Sequence, residues 1–269
     1  MSLNLLSTGN MTRVSVIGCG NMGGALLRGL ARTDGYHLTA IDLDPDARAS
    51  VADAVDETTD DVDAGTADAD IVVLAVKPDI AEPVLADLDL DADQQLVTLA
   101  AGLPREFVAE RTAATVVRIM PNLAAETGDM AAAATTDGLT DEVRDLLDAV
   151  GEFVEVDESL MDVATAVNGS GPAFAFYLID AMKQGGIDGG LDPEQAETLA
   201  AQTFKGAAET VLRDDRSVDE LIDAVCSPNG TTIEGMEVLW DSDADAAVAD
   251  AVAAAEERSR ELAEAFDDE

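Results

Sequence analysis

Apolar residues fall in two rhythms along this chain. In the first half, short β-branched and aliphatic runs alternate with stretches repeating at the helical period. Residues 13–17 read Arg-Val-Ser-Val-Ile and end in glycines; residues 25–31 follow with a helical pattern. Residues 38–41 form the next apolar run and stop at Asp42. Residues 71–76, Ile-Val-Val-Leu-Ala-Val, are wholly apolar, as expected of a strand covered on both faces of a parallel sheet. Residues 95–99, 115–119 and 153–156 are further strand candidates. The alternation predicts a doubly wound α/β domain over residues 11–157.

From residue 158 the rhythm becomes helical throughout. Residues 158–181, 193–212, 218–225, 233–240 and 244–266 read as helices, and no strand stands out. Ser217 with Glu220, and Thr231 with Glu234, fit the capping-box pattern. Residues 158–269 are therefore expected to form an all-helical domain. Its alanine-rich helices carry apolar residues on more than one face, which suits either burial in a partner subunit or a self-contained bundle. Residues 1–10 lack a signal-peptide core, precede a second methionine, Met11, and are given no structural role.

Charge changes the picture of the surface. The 269 residues include 56 acidic and 15 basic ones, a formal net charge of -41, with the acids spread along the whole chain. An apolar content of 47% in clean periodic segments still predicts a folded protein. Such a surface repels itself in dilute buffer, and molar salt screens that repulsion. A salt-adapted cytoplasmic protein is the expectation. Nucleic-acid binding is disfavoured because phosphates need a basic stripe. No apolar run approaches the roughly 20 residues that span a bilayer. With two cysteines, Cys19 and Cys226, and one histidine, His37, neither a zinc site nor a disulfide framework is expected.

Gly18-Cys19-Gly20-Asn21-Met22-Gly23 places a G-x-G-x-x-G fingerprint between a strand and a helix. Gly18 permits the tight turn, Gly20 lets backbone approach a pyrophosphate, and Gly23 allows close helix–strand packing. The helix N-terminus offers free N–H groups to phosphates. This points to a Rossmann-like dinucleotide site. Asp42 closes the second strand about 20 residues further on, where an acid bonds the ribose hydroxyls. A carboxylate there repels a 2′-phosphate. Position 43 is Leu and position 44 another Asp, with Arg48 the nearest cation, so NADH is favoured slightly over NADPH.

Other segments carry weaker signals. Lys77-Pro78 ends a strand at the carboxyl edge of the sheet, where open α/β folds bind ligands, or is simply stopped by proline. Met120-Pro121-Asn122 ends another strand, lining the nicotinamide or forming a packed turn. Asn168-Gly169-Ser170-Gly171-Pro172 interrupts an apolar helix, where a kink or a close helix contact fits. Residues 227–232 form a glycine-containing turn running into a helix N-terminus, with hydroxyls from Ser227, Thr231 and Thr232. Such a turn suits a carboxylate, or merely caps a helix.

Taken in order, these strings resemble the pyrroline-5-carboxylate reductase family from Met11 onward. They are Gly18 to Gly23; Leu74-Ala75-Val76-Lys77-Pro78; Ala100-Ala101-Gly102; Arg118-Ile119-Met120-Pro121-Asn122; Asn168 to Phe174; and Cys226-Ser227-Pro228-Asn229-Gly230-Thr231-Thr232-Ile233-Glu234-Gly235. The resemblance implies a Rossmann-like domain, a helical dimerisation domain and hydride transfer from NADH or NADPH to L-1-pyrroline-5-carboxylate. It implies a homodimer or higher homo-oligomer. It implies cofactor contacts at Gly18 to Gly23, Asp42, Ala75 to Pro78, Ala101, Gly102 and Asn122. Substrate contacts fall at Ser227, Asn229, Gly230, Thr231 and Thr232, with Thr232 nearest the ring nitrogen. Two departures stand out. Leu43 replaces a basic residue common in NADPH-using members, and Asn229 stands where a glycine is frequent. An Asn tolerates left-handed backbone, so the loop is expected to survive.

The implied chemistry asks for a cofactor cradle, a carboxylate site and hydrogen bonding near the imine nitrogen. Orientation and electrostatic placement would supply most of the catalysis. A β-hydroxyacid dehydrogenase is the nearest rival, but it needs a Lys with an Asn one turn later. Here Ile187 follows Lys183 and Glu209 follows Lys205. A non-catalytic dinucleotide sensor is the other rival, and it has no use for the hydroxyl-rich turn.

Overall fold

The computed structural model describes residues 11–267, so residues 1–10 lie outside it. The amino-terminal part runs β1 (Thr12–Ile17), α1 (Asn21–Leu30), β2 (Tyr36–Ile41), α2 (Pro45–Ala49), β3 (Glu57–Thr59), α3 (Val62–Thr66), β4 (Ile71–Leu74), α4 (Pro78–Asp87), β5 (Gln95–Thr98), α5 (Arg105–Ala109), β6 (Thr115–Met120), β7 (Met130–Thr135), α6 (Asp141–Asp148) and β8 (Gly151–Val156). The helical part follows as α7 (Met161–Ala164), α8 (Gly171–Asp188), α9 (Pro193–Arg213), α10 (Val218–Val225), α11 (Thr231–Trp240) and α12 (Ala244–Asp267). No described helix is long and apolar enough to cross a membrane.

The eight strands form one sheet in the order β3-β2-β1-β4-β5-β6-β7-β8. Every pairing is parallel except β6 with β7. Strand order reverses direction between β1 and β4, which creates a crevice at their carboxyl ends. β4 explains why its sequence is all apolar. Ile71 and Val73 point into the core on one face, Val72 and Leu74 into the core on the other. Each such side chain contributes about 1.5–3 kcal/mol when fully buried.

Three expectations need correction. The run at residues 71–76 is a strand only to Leu74, after which Ala75 and Val76 leave the sheet. β3 and β7 carry no strand signal of their own. β7 reads Met-Ala-Ala-Ala-Ala-Thr, a helix-forming composition, yet its two neighbours hold it extended. The helix expected at residues 158–181 is broken. A 3-10 turn at Glu158–Leu160, α7 and a π turn at Thr165–Gly169 precede α8. The glycine- and proline-containing stretch from Asn168 to Pro172 marks that break.

Helix starts follow local chemistry. Asp44 caps α2 by accepting the Asp46 N–H, with Pro45 at the first position. Asp192 with Gln195 and Ser217 with Glu220 form capping boxes on α9 and α10. The box expected at Thr231 does not form. Gly230 is the cap residue of α11 and Thr231 is already helical. The helix starts one residue earlier than that pattern requires, directly after Asn229, which adopts a left-handed φ of 58°.

The described residues divide into two compact units, 11–169 with 255–267, and 170–254. The first holds the sheet, its flanking helices and the end of α12. There Ser259 donates to Asp162 at 2.7 Å, and a Cβ on Gly102 would stand 3.3 Å from the α12 backbone at Leu262 and Ala263. The second unit buries little. Among its residues only Ala196 and Ala200 are fully covered. Phe176 is 68% exposed, Tyr177 76% and Leu212 70%.

Candidate dinucleotide and substrate sites

The glycine turn is built from β1 outward. Gly18 adopts a φ of +98°, and a Cβ there would meet the Ala75 carbonyl oxygen at 2.7 Å. Its N–H bonds the Ile41 carbonyl at 2.8 Å, while the Ala75 N–H bonds Ile17 at 2.8 Å. The turn is therefore pinned between the ends of β2 and β4. A Cβ on Gly23 would fall 1.9 Å from the Gly18 carbonyl oxygen, so helix and turn touch backbone to backbone. At Gly20 a Cβ would meet nothing within 4 Å. That open side, at the uncapped start of α1 (Asn21, Met22), is where a pyrophosphate fits the residues present.

Asp42 is tied into this turn. Its Oδ2 accepts the Cys19 N–H at 2.7 Å and its Oδ1 the Asp44 N–H at 2.9 Å. Each oxygen keeps a second lone pair for a ribose hydroxyl. The Cys19 thiol faces the Ile41 carbonyl at 3.6 Å. Burial, then the Asp42 charge, push its pKa up to about 11. Cys19 is thus a packed, protonated thiol.

After β4, Ala75 and Val76 are half-buried beside Gly18, Lys77 caps α4 without a side-chain bond, and Pro78 opens that helix. The sheet so gathers Gly18 to Gly23, Asp42 and Ala75 to Pro78 around the ends of β1, β2 and β4. Ala101 and Gly102 follow β5, with Gly102 at φ +76°. Asn122 follows β6 and turns its side chain inward. Oδ1 accepts the N–H groups of Ala124 and Ala131, and Nδ2 donates to the Asn168 carbonyl at 3.2 Å. Asn168 in turn donates to Met120 and Ala131 at 2.6 and 2.9 Å. These bonds fix the turn after β6.

In the second unit, the Gly230 N–H bonds the Ser227 carbonyl at 2.9 Å. A Cβ on Gly230 would stand 2.3 Å from the Ser227 hydroxyl, so the turn is tight. Gly230 caps α11 with no side-chain bond, leaving the first N–H groups of Thr231, Thr232 and Ile233 without helical acceptors. Ser227, Asn229 and Thr231 are exposed, Thr232 half-buried.

Two features escape sequence reasoning. Arg118, 4% exposed, pairs with Glu158 at 2.7 Å, and its Nε and Nη2 have no partner. A charge inside the apolar run 115–119 is the available signal. Asp60 stands 3.6 Å from Arg48, and nothing in the sequence announces that pairing. A cavity beside Thr12, Ile71 and Gln95 opens at the amino ends of the strands, with Asp70 and Asp93 on its rim. It lies at the wrong edge of a parallel sheet for a dinucleotide.

Comparison with known proteins finds relatives over most of the chain. A family model described as pyrroline-5-carboxylate reductase dimerisation matches residues 158–262. One described as NADP oxidoreductase, coenzyme F420-dependent, matches residues 13–102. The chain is 36% identical to the pyrroline-5-carboxylate reductase of Methanosarcina acetivorans, over 93% of this chain and 97% of that protein. Against the Pseudomonas aeruginosa pyrroline-5-carboxylate reductase it is 38% identical, covering 94% and 97%. In structure it is similar to the Plasmodium falciparum pyrroline carboxylate reductase with NADP bound. The TM-score is 0.81 and the identity 27%, over 94% of this chain and 99% of that one.

Proposed function

This chain belongs to the pyrroline-5-carboxylate reductase family and reduces pyrroline-5-carboxylate to L-proline with NAD(P)H; from that premise we propose how its residues divide the work. The dinucleotide, when bound, supplies a hydride to the imine carbon. Gly18 and Gly20 let the backbone approach the pyrophosphate, and the start of α1 donates N–H groups to it. Ala75 to Pro78, Ala101 and Gly102 flank the nicotinamide half, with Asn122 holding the turn beneath. The open side of Gly20, beside a turn locked by Gly18, Gly23 and Asp42, is the observation that carries this assignment.

The Ser227 to Thr232 turn grips the substrate carboxylate with free N–H groups and the Ser227 and Thr231 hydroxyls. Asn229 and Gly230 supply the backbone shape. Thr232 hydrogen-bonds near the ring nitrogen, which is protonated for hydride addition and becomes the secondary amine of proline as the C=N π pair passes to it. Thr232→Ala should cut kcat/KM for pyrroline-5-carboxylate at least about tenfold while leaving the melting temperature unchanged, since a hydrogen bond to a charged group is worth about 1.5–3 kcal/mol. Wild-type kinetics would remove Thr232 from the site.

The Asp42 carboxylate favours NADH, because a 2′-phosphate would meet it. We place the functional division at residues 157 and 158, where the dimerisation match begins. The exposed apolar surface of α8 to α11 takes a second copy of this chain, giving a homodimer. The free thiols of Cys19 and Cys226 fit a cytoplasmic enzyme.

A further inference from the structure

The acid that ends β2 has an arginine at its back. Arg48, in the last turn of α2, donates from Nη1 to the backbone carbonyl of Asp42. Its Nη2 stands 3.6 Å from Oδ2 of Asp60, in the loop after β3. The pairing of β3 with β2 brings Asp60 there, since the Asp42 N–H bonds the Thr59 carbonyl at 3.2 Å. The Arg48 side chain is 19% exposed and that of Asp60 68% exposed. A mostly covered guanidinium is thus neutralised by a carboxylate on its outer, solvent side. Leu43, 80% exposed, offers no polar group nearby.

We propose that the Arg48–Asp60 pair acts beside Asp42 as a second determinant of which dinucleotide this enzyme accepts. The inference rests on the reading that the dinucleotide lies on the Gly18 to Gly23 turn. A 2′-phosphate brings about two negative charges to a rim already holding Asp42, Asp44 and Asp60. Arginine is the natural partner for phosphate, through two parallel N–H bonds. Asp60 occupies that capacity and adds its own repulsion. Neutralising Asp60 leaves Arg48 anchored to Asp42 and free to take the phosphate. Arg48 is a latent phosphate ligand, and Asp60 is what keeps it latent.

The test is direct binding rather than turnover. Calorimetric titration of wild type, Asp60→Asn and Asp60→Asn with Arg48→Leu would use adenosine 2′,5′-bisphosphate and 5′-AMP, at one fixed KCl concentration. Asp60→Asn should bind the bisphosphate about two- to fivefold tighter than wild type, the range an exposed ion pair can withhold. Its 5′-AMP affinity should not change, and adding Arg48→Leu should abolish the gain. An unchanged bisphosphate affinity in Asp60→Asn, or a gain that survives loss of Arg48, overturns the inference. If wild type binds NADH normally in those cases, the site assignment stands without it. If wild type binds neither NADH nor 5′-AMP, the assignment itself falls.

Discussion

The backbone N–H of Cys19 donates to the Asp42 carboxylate at 2.7 Å. The fingerprint turn and the acid that follows it are usually described as separate contacts to one ligand. Here they are bonded directly to each other. Asp42 has a structural duty, and its substitution must be read with that in view.

Asp42→Ala should therefore do more than change cofactor preference. It removes the acceptor of two N–H groups, from Cys19 and Asp44. A bond to a charged acceptor contributes about 1.5–3 kcal/mol, and less where water reaches it. The melting temperature should fall by several degrees, and KM for NADH and NADPH should both rise. Asp42→Asn, which keeps one acceptor oxygen, should lie between. A melt equal to wild type would show that the turn holds without this bond.

Gly20 and Gly23 make a paired prediction. A Cβ at Gly23 would collide with the Gly18 carbonyl oxygen at 1.9 Å, so Gly23→Ala should destabilise the fold or prevent it. Gly20→Ala meets nothing within 4 Å and should fold with a wild-type melt. Its methyl group would instead occupy the space proposed for the pyrophosphate. NADH titration of the folded Gly20→Ala protein should show affinity weakened at least about tenfold, which corresponds to about 1.4 kcal/mol of binding free energy. Unchanged affinity would move the pyrophosphate off this turn.

What the sequence disclosed depended on how local the cause was. The β4 run is legible because burial on both faces demands four apolar residues in succession. The glycine turn is legible because a φ of +98° at Gly18 and backbone contact at Gly23 admit no side chain. β7 is illegible because alanine carries no strand preference; its extended form comes from β6 and β8, which lie outside any local window. The box at Thr231 misleads because the helix begins one residue early, with Gly230 as its cap directly after the left-handed Asn229. The Arg48–Asp60 pair is invisible for the same reason as β7, since strand pairing alone brings its members together.

Cysteine reactivity follows from the same turn. Burial and the Asp42 charge raise the Cys19 thiol from 9.0 to about 11. At pH 8 the native protein should be alkylated by iodoacetamide at Cys226, which is half-buried, and spared at Cys19. The folded thiol holds its proton more tightly than the unfolded one. Its contribution to stability is complete below pH 9.0 and is lost as pH rises through about 11. Mass spectrometry after brief labelling should find one modified cysteine. Rapid double modification without unfolding would contradict the burial of Cys19.

Salt should decide whether the protein stays folded. The formal charge is -41, and the basic residues give little relief. Among the described residues, every arginine or lysine except Arg32, Lys77 and Lys205 already has a carboxylate within 4.0 Å. The surplus acids are left facing each other and the solvent. At 0.1 M salt charges interact over about 10 Å, and at 1 M over about 3 Å. Repulsion of this extent opposes compaction in dilute buffer, and the second unit, with only Ala196 and Ala200 fully buried within one chain, has little packing of its own against it. The melting temperature should climb steadily from 0.1 to above 1 M KCl, and NaCl of equal ionic strength should act alike. Sucrose at matched osmolality should have a much smaller effect. A melt independent of salt over that range would mean that charge repulsion does not govern the stability of this chain.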